Sequence, residues 1–385
     1  MTTQVEDKPP NDSICMLAWD SVAIRPFSTA MPCCRFRPVD RVKFKEESNV
    51  HMDFRNSDSW RNLRQNMLDG IKVPECSQCY RDEASGSGTP RTQETRKIWP
   101  TTTDVHKLRF LEIAFSNLCN LACVSCNSSF SSTWGVEDHK KGRLDKPKVL
   151  VEHNSNLDSL DLSELKVLKI IGGEPFMDQD RFINLLERLD LSKIKLLVST
   201  NGTVLPNEKL KSLIDKCNEL VLEVSLDGVG TVNEWYRWPT KMNKIEEVMD
   251  QYQEWWGLKP KFQLRTHSVV HAYNIWNLDE LVKYMINRYP TWKTDFDWIQ
   301  NPAWQAICII PNEHKEELKK KLTYWNDTIK GNWVYYKESP FLVSIDRLDD
   351  TERSSWKVFK ENSLLLAEER NLNLLELVPI LKDVM

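Results

Sequence analysis

"LRFLEIAFSNLCNLACVSC", residues 108–126, decides how this chain is read. Its first half, "LRFLEIAFS" (108–116), is a short apolar run that reads as a strand. Directly after it, Cys119, Cys123 and Cys126 fall within eight positions. Three thiols are an odd number for a disulfide set and one short of the four protein ligands of a structural zinc site. A loop leaving a strand end can curl its thiolates around one inorganic core, and thiolates are what iron–sulfur clusters require. Three of them on a four-iron core leave one iron open to an outside ligand.

Outward from that loop, apolar runs alternate with helical patterns. "KVLKIIGG" (166–173), "KIKLLVSTNG" (193–202), "ELVLEVSLDG" (219–228) and "KFQLRTHSVV" (261–270) read as further strands, with "DFDWIQ" (295–300) a weaker sixth. Between them, "DQDRFINLLERLD", "NEKLKSLIDKCN", "NKIEEVMDQYQEWW" and "NLDELVKYMINRY" carry apolar residues at three- and four-residue spacing, as amphipathic helices do. Such alternation predicts parallel strands joined by right-handed crossovers, in an open barrel or a doubly wound sheet. In a barrel the chemistry gathers at the strand C-terminal ends, where the glycines and polar residues cluster here. After residue 303 the chain reads as helical, with "NEHKEELKKKLTYWNDTIK" amphipathic and charged and the last segment broken before Pro379.

Composition sets outer limits. The chain has 385 residues, long enough for one large domain with smaller attachments. Fifteen tryptophans and only 12 glycines argue against disorder, and core packing accounts for most of the tryptophans. With 52 basic and 56 acidic side chains and no long basic run, nothing points electrostatically to nucleic acid. The polar, acidic start is unlike a signal peptide, and no apolar run reaches membrane-spanning length; a soluble, cytoplasmic protein is expected. Eight of the ten cysteines precede residue 127, which places metal chemistry there; Cys217 and Cys308 sit alone in apolar surroundings and read as buried small hydrophobes.

The C-x₃-C-x₂-C loop, "GGEP" (172–175), "STNG" (199–202) and "VSLDG" (224–228), in this order along a βα series, resemble a radical S-adenosylmethionine (SAM) enzyme of the branch that carries auxiliary clusters. The resemblance covers roughly residues 108–300. It implies an α/β fold built on a partial (β/α)₆ TIM-like barrel. It also implies that Cys119, Cys123 and Cys126 hold a [4Fe–4S] cluster whose open iron is chelated by SAM. Reductive cleavage of SAM would give a 5′-deoxyadenosyl radical that abstracts hydrogen from a peptide or small-molecule substrate, with an electron donor such as flavodoxin or ferredoxin. By the same resemblance, Gly172, Gly173, Glu174 and Pro175 form part of the SAM site, with Glu174 accepting from the methionine ammonium. Thr200, Asn201, Ser225 and Asp227 end the third and fourth strands with groups able to reach a cofactor; turn chemistry is the plainer explanation of these Asn-Gly and Asp-Gly corners. One departure stands out: the residue before the third cysteine, usually large in the family, is Ser125. No catalytic base or radical relay is identified.

"MPCCRF" (31–36), the intervening "DSWRNLRQNMLDG" and "PECSQC" (74–79) resemble the auxiliary-cluster module called a twitch domain, a shortened relative of the SPASM domain, here ahead of the core rather than after it. The resemblance implies a second [4Fe–4S] cluster on Cys15, Cys33, Cys76 and Cys79, with Cys34 able to exchange roles with Cys33. The same four thiols would satisfy a tetrahedral zinc knuckle, and a zinc-stapled, partner-binding scaffold is the competing class. The expected organisation is an auxiliary module over 12–95, the core over 104–303 and a helical extension over 304–385. "EASGSGTPRT" (83–92) lacks the ending of a P-loop and reads as a connector, with Arg91 able to touch core or substrate. His267 and His271 straddle a strand end and read as structural or exposed; Glu112 on the first strand is a candidate for the barrel interior.

Overall fold

Short strands rich in Ile, Leu and Val alternate with longer amphipathic segments, and the chain folds accordingly. The structure is a computed structural model and describes residues 11–26, 29–37, 53, 56–84, 89–92, 107–149, 157, 160–331 and 339–385. Residues 85–88 of the expected connector and the first ten residues lie outside the described ones. The strands are β1 (Ser21–Arg25), β2 (Thr29–Met31), β3 (Phe110–Ala114), β4 (Val167–Ile171), β5 (Lys195–Thr200), β6 (Glu219–Ser225), β7 (Phe262–Val270) and β8 (Lys293–Trp298). They follow the order β2-β1-β3-β4-β5-β6-β7-β8 in one sheet. The larger helices are α1 (Asp58–Leu68), α2 (Ser77–Ala84), α3 (Ser132–Lys140), α4 (Gln179–Leu186), α5 (Glu208–Ile214), α6 (Thr231–Tyr236), α7 (Met242–Trp256), α8 (Leu278–Arg288), α9 (Asn312–Thr328), α10 (Pro340–Leu348) and α11 (Trp356–Glu369).

All six strands expected from residue 108 onward are present. Two more, β1 and β2, come from the segment expected to hold only the auxiliary module. They are five and three residues long, too short for a periodicity to show. The packing divides into two units. The first comprises Met1–Leu118, Lys148–Ser199 and Pro206–Leu220; the second comprises Cys119–Pro147, Thr200–Leu205 and Val221–Met385.

In the first unit, β1 pairs antiparallel with β2 and parallel with β3, placing Ala23 opposite Glu112. β3 runs parallel to β4, with Glu112 opposite Lys169, and β4 parallel to β5. Parallel pairing needs a crossover, and α4 supplies the one between β4 and β5. Its Phe182, Ile183, Leu185 and Leu186 are buried. In the second unit β7 and β8 are parallel, with His267 opposite Asp295. Helix α7 buries Met242, Ile245, Val248, Met249, Tyr252 and Trp256, the apolar stripe of a 3.6-residue repeat.

The helical extension is also as expected. Ser339 and Ser355 cap α10 and α11 by accepting from Leu342 and Val358 N–H. A core formed by Trp235, Tyr273, Phe359, Val378 and Leu381 ties α11 and the last residues into the second unit. Cys217 and Cys308 are buried. Among the described residues, no helix is long and apolar enough to cross a membrane.

Candidate functional site

The Cys119–Cys126 loop belongs to the second unit, and its backbone is fixed by side chains from far along the chain. Cys119 C=O accepts from Ser132 Oγ (3.1 Å) and Thr133 Oγ1 (2.6 Å), at the start of α3. Leu121 C=O accepts from Ser131 Oγ (2.5 Å) and Cys123 C=O from Trp134 Nε1 (2.8 Å). Ala122 C=O accepts from Arg370 Nη2 (2.8 Å) and Val124 C=O from Gln305 Nε2 (3.0 Å). The N–H groups of Ala122 and Val124 bond to the carbonyls of Trp238 and Tyr236. Unpaired carbonyls in a buried loop are costly, so this set of partners holds one loop conformation. Arg370 is the keystone: almost wholly buried, it pairs with Glu137 (3.1 Å) and lies over the rings of Trp134 and Trp238 at 4.8 and 4.5 Å.

The cysteines themselves respond to this enclosure. Burial pushes the Cys123 thiol up, opposed by the nearby charges of Arg237 and Arg370. Burial, aided by Cys123, pushes Cys126 up to about 12. Metal ligation at these positions therefore displaces protons. Asn201 Nδ2 approaches Cys119 Sγ at 3.7 Å and also donates to Asn120 Oδ1 (2.9 Å). Its Oδ1 accepts from Thr203 N–H (3.0 Å) and Thr203 Oγ1 (2.6 Å), so the amide orientation is locked against the first cysteine. The "STNG" corner thus reaches the cysteine loop directly. Thr200 Oγ1 accepts from Gly202 N–H (3.2 Å), and Ser225 is half-buried at the end of β6. Asp227 is committed to the chain's own bonds: Oδ1 accepts from Val269 N–H (2.7 Å), and Oδ2 pairs with Arg237 at 2.7 Å.

In the first unit, "GGEP" packs against the segment that leads into Cys119. Glu174 N–H donates to Leu118 C=O (2.6 Å). A Cβ on Gly173 would lie 2.1 Å from Leu118 O. Gly172 has φ +137°, and a Cβ there would meet Ser116 O at 3.1 Å. The close approach that these glycines permit is therefore to residues 116–118. Pro175 opens a short 3₁₀ turn, and buried Glu174 caps it by accepting from Phe176 N–H (3.1 Å).

The N-terminal cysteines converge within the first unit. The segment after Cys33-Cys34 lies along the second pair: Arg37 N–H bonds to Glu75 C=O (3.0 Å), and Arg35 pairs with Asp82 of α2 at 2.5 Å. Arg91 pairs with Glu83 and donates to the carbonyls of Asp12 (2.5 Å) and Ile14 (3.0 Å), clamping the segment before Cys15. Burial and the neighbouring Cys76 and Cys79 push the Cys15 thiol far up. Burial, Cys34, Cys15 and Cys79 do the same to Cys33. A tetrahedral zinc site, from a roughly 2.3 Å Zn–S bond, sets its sulfurs about 3.8 Å apart. Among the described residues, no three cysteine sulfurs lie within 4.8 Å of one another, in this cluster or in the loop.

Sequence reading missed a third cluster. Glu223, His267 and Asp295, on β6, β7 and β8, bring ligand-type atoms within 4.8 Å of one another. Arg265 pairs with Glu223 at 2.7 Å, and His267 Nδ1 lies 3.2 Å from Asp295 Oδ2. Burial alone would lower His267, but the Asp295 hydrogen bond and the charges of Glu223, Asp295 and Asp297 outweigh it and raise it to about 9. The trio is thus balanced by a protonated imidazole and a guanidinium. His271 is buried instead, stacked on Tyr236 with ring centroids 3.6 Å apart.

Residues 113–254 match the sequence model of the Radical SAM superfamily. Two curated relatives are each 27% identical. One is the probable GTP 3′,8-cyclase of Methanocaldococcus jannaschii, over 46% of this chain and 55% of the relative. The other is the tungsten-containing aldehyde ferredoxin oxidoreductase cofactor-modifying protein of Pyrococcus furiosus, over 47% and 49%. The chain thus spans about half the length of the curated relatives it matches. Among solved structures, Streptococcus suis SuiB is 15% identical over 80% of this chain and 68% of that chain, with a TM-score of 0.39.

Proposed function

We propose, from the match of residues 113–254 to the Radical SAM superfamily model, that the chain is a radical SAM enzyme with a SAM-binding [4Fe–4S] cluster at Cys119, Cys123 and Cys126 and an auxiliary [4Fe–4S] cluster on its N-terminal cysteines. The observation that carries this reading is the loop itself: three thiols within eight positions, Cys119 buried and Cys123 and Cys126 half-buried, on a backbone whose carbonyls are held in place from Ser131 to Arg370. When bound, the cluster and SAM would supply a 5′-deoxyadenosyl radical for hydrogen abstraction. The chain's own part is orientation and exclusion. Asn201 fixes Cys119, and the Trp134–Arg370–Trp238 stack braces the loop from one side. By the family resemblance Glu174 would offer its carboxylate to the SAM ammonium, while Gly172 and Gly173 let their backbone close on residues 116–118. Thr200, Ser225 and Asp227, at or just after the ends of β5 and β6, would add polar contacts to the cofactor. Residues 12–95 form the auxiliary module and 304–385 the bracing extension. The substrate is a peptide or another small molecule, and the electron donor is of the flavodoxin or ferredoxin class.

The test is anaerobic reconstitution, iron and sulfide analysis, and assay of SAM cleavage with dithionite. About eight irons per chain and formation of 5′-deoxyadenosine are expected. Stoichiometric zinc without iron, or no SAM cleavage by the fully loaded protein, would overturn the reading.

A further inference from the structure

Arg25 ends β1 and is 8% exposed. One guanidinium nitrogen, Nη2, pairs with Glu112 on β3 at 2.5 Å, and Lys169 on β4 reaches the other Glu112 oxygen at 3.1 Å. The strand register sets these groups side by side: Glu112 lies opposite Lys169, and Arg25 is two residues beyond Ala23, the partner of Glu112. Two cations thus share one buried carboxylate. The second nitrogen, Arg25 Nη1, is buried and has no hydrogen-bond partner among the described residues. An orphaned guanidinium N–H away from water is expensive unless something anionic accepts from it. Both Cys33 and Cys34 lie within electrostatic reach of Arg25.

The two adjacent cysteines have different surroundings. Cys33 faces thiols: Cys15 and Cys79 act on it, and it acts in turn on Cys76. Cys34 also acts on Cys33 and Cys79, but the groups that act on Cys34 itself are charges: Glu112, Lys169, Arg25 and Arg35. Cys33 also packs with Cys15 and Cys76 in one apolar cluster with Ile14, Met31 and Val73.

We propose that Cys33, and not Cys34, is the fourth ligand of the auxiliary cluster, and that Arg25 donates to the sulfur of that cluster and raises its reduction potential. The inference rests on the auxiliary-cluster reading. An iron–sulfur cluster bound by four thiolates is anionic and gains a further negative charge on reduction. Its potential responds to nearby charge and to hydrogen bonds on its sulfurs. A buried cation beside it stabilises the reduced form; the Glu112 carboxylate does the opposite.

The experiment uses the full chain, reconstituted anaerobically in a Cys123→Ala background so that the loop cluster does not contribute. A dithionite titration followed by electron paramagnetic resonance reads the potential. Arg25→Gln is expected to shift the reduced-to-oxidised ratio at fixed potential at least tenfold toward oxidised, about 59 mV for a one-electron couple. Arg25→Lys, which keeps the charge, recovers most of that shift, and Glu112→Gln moves the ratio toward reduced. Opposite signs separate an electrostatic role from simple disruption, and if Arg25→Gln does not load, the Glu112→Gln arm decides. Cys34→Ser is expected to keep about four irons per chain and Cys33→Ser to lose them. Unchanged potentials in loaded Arg25→Gln and Glu112→Gln, or iron lost from Cys34→Ser but kept in Cys33→Ser, overturn the proposal. A Cys123→Ala protein that binds no iron overturns the auxiliary-cluster reading itself, and iron analysis shows this before any potential is measured.

Discussion

The loop of Cys119, Cys123 and Cys126 and the module of Cys15, Cys33, Cys76 and Cys79 are both cysteine clusters, and they are held in opposite ways. The loop would draw its proposed ligands from eight consecutive positions, and it draws its supports from as far away as residue 370. The module would draw its proposed ligands from three separated segments, with supports that all lie within the same stretch of chain, residues 12 to 91: Arg35 to Asp82, Arg91 to Glu83, Asp12 and Ile14. A contiguous ligand set costs little loop closure but has no intrinsic shape, so it needs outside bracing. A discontinuous set is shaped by the fold of its own segments.

The difference can be broken most sharply at the ligands. Cys126→Ala should abolish 5′-deoxyadenosine formation and lower iron from about eight to about four per chain. Cys76→Ala should lose a similar amount of iron while SAM cleavage persists; parallel iron analysis and product assay read both. Next comes the bracing. Arg370→Ala leaves Glu137 without its buried partner and uncaps the Ala122 carbonyl, and should cost about 3–5 kcal/mol in chemical denaturation. Gly173→Ala drives a Cβ into Leu118 O and should cost roughly 3 kcal/mol, with weaker loading of the loop cluster but not of the module. A smaller effect is expected from the third cluster. Because the folded His267 stands at about 9, above its unfolded value, its protonation stabilises the fold fully below about pH 6.5. That contribution is lost as pH rises through about 9. The stability gap between the wild type and His267→Asn should therefore be on the order of 2 kcal/mol at pH 6 and shrink toward pH 10, as measured by denaturant midpoints. Smallest of all is Arg143→Ala. Its pairs with Asp138 and Glu369 are partly exposed, and under about 1 kcal/mol is expected.

The same contrast explains what could be read in advance. The six strands after residue 108 and the helices between them follow from periodicity, since each buries one apolar face. The three loop cysteines were visible because the signal lies within one short stretch. Arg370 and Gln305 were not, because a bond across 248 or 181 residues leaves no mark in local pattern. Arg25, Glu112 and Lys169 were equally hidden: the register of three strands brings them together, and only Glu112 drew notice, as a candidate for the interior. Asp227 was legible as a polar group at a strand end, but its bonds to Val269 and Arg237, which lock the corner after β6, were not. The trio around His267 followed the same rule, with one member on each of three strands.

Arg370 also has a consequence in time. During synthesis the three loop cysteines emerge long before the residue that caps Ala122, 248 positions later. At ordinary translation rates that interval is roughly 10–50 s. The module's ligands, by contrast, are all present once residue 79 has been made. On a growing chain the proposed module ligands can therefore come together while the loop is still unbraced.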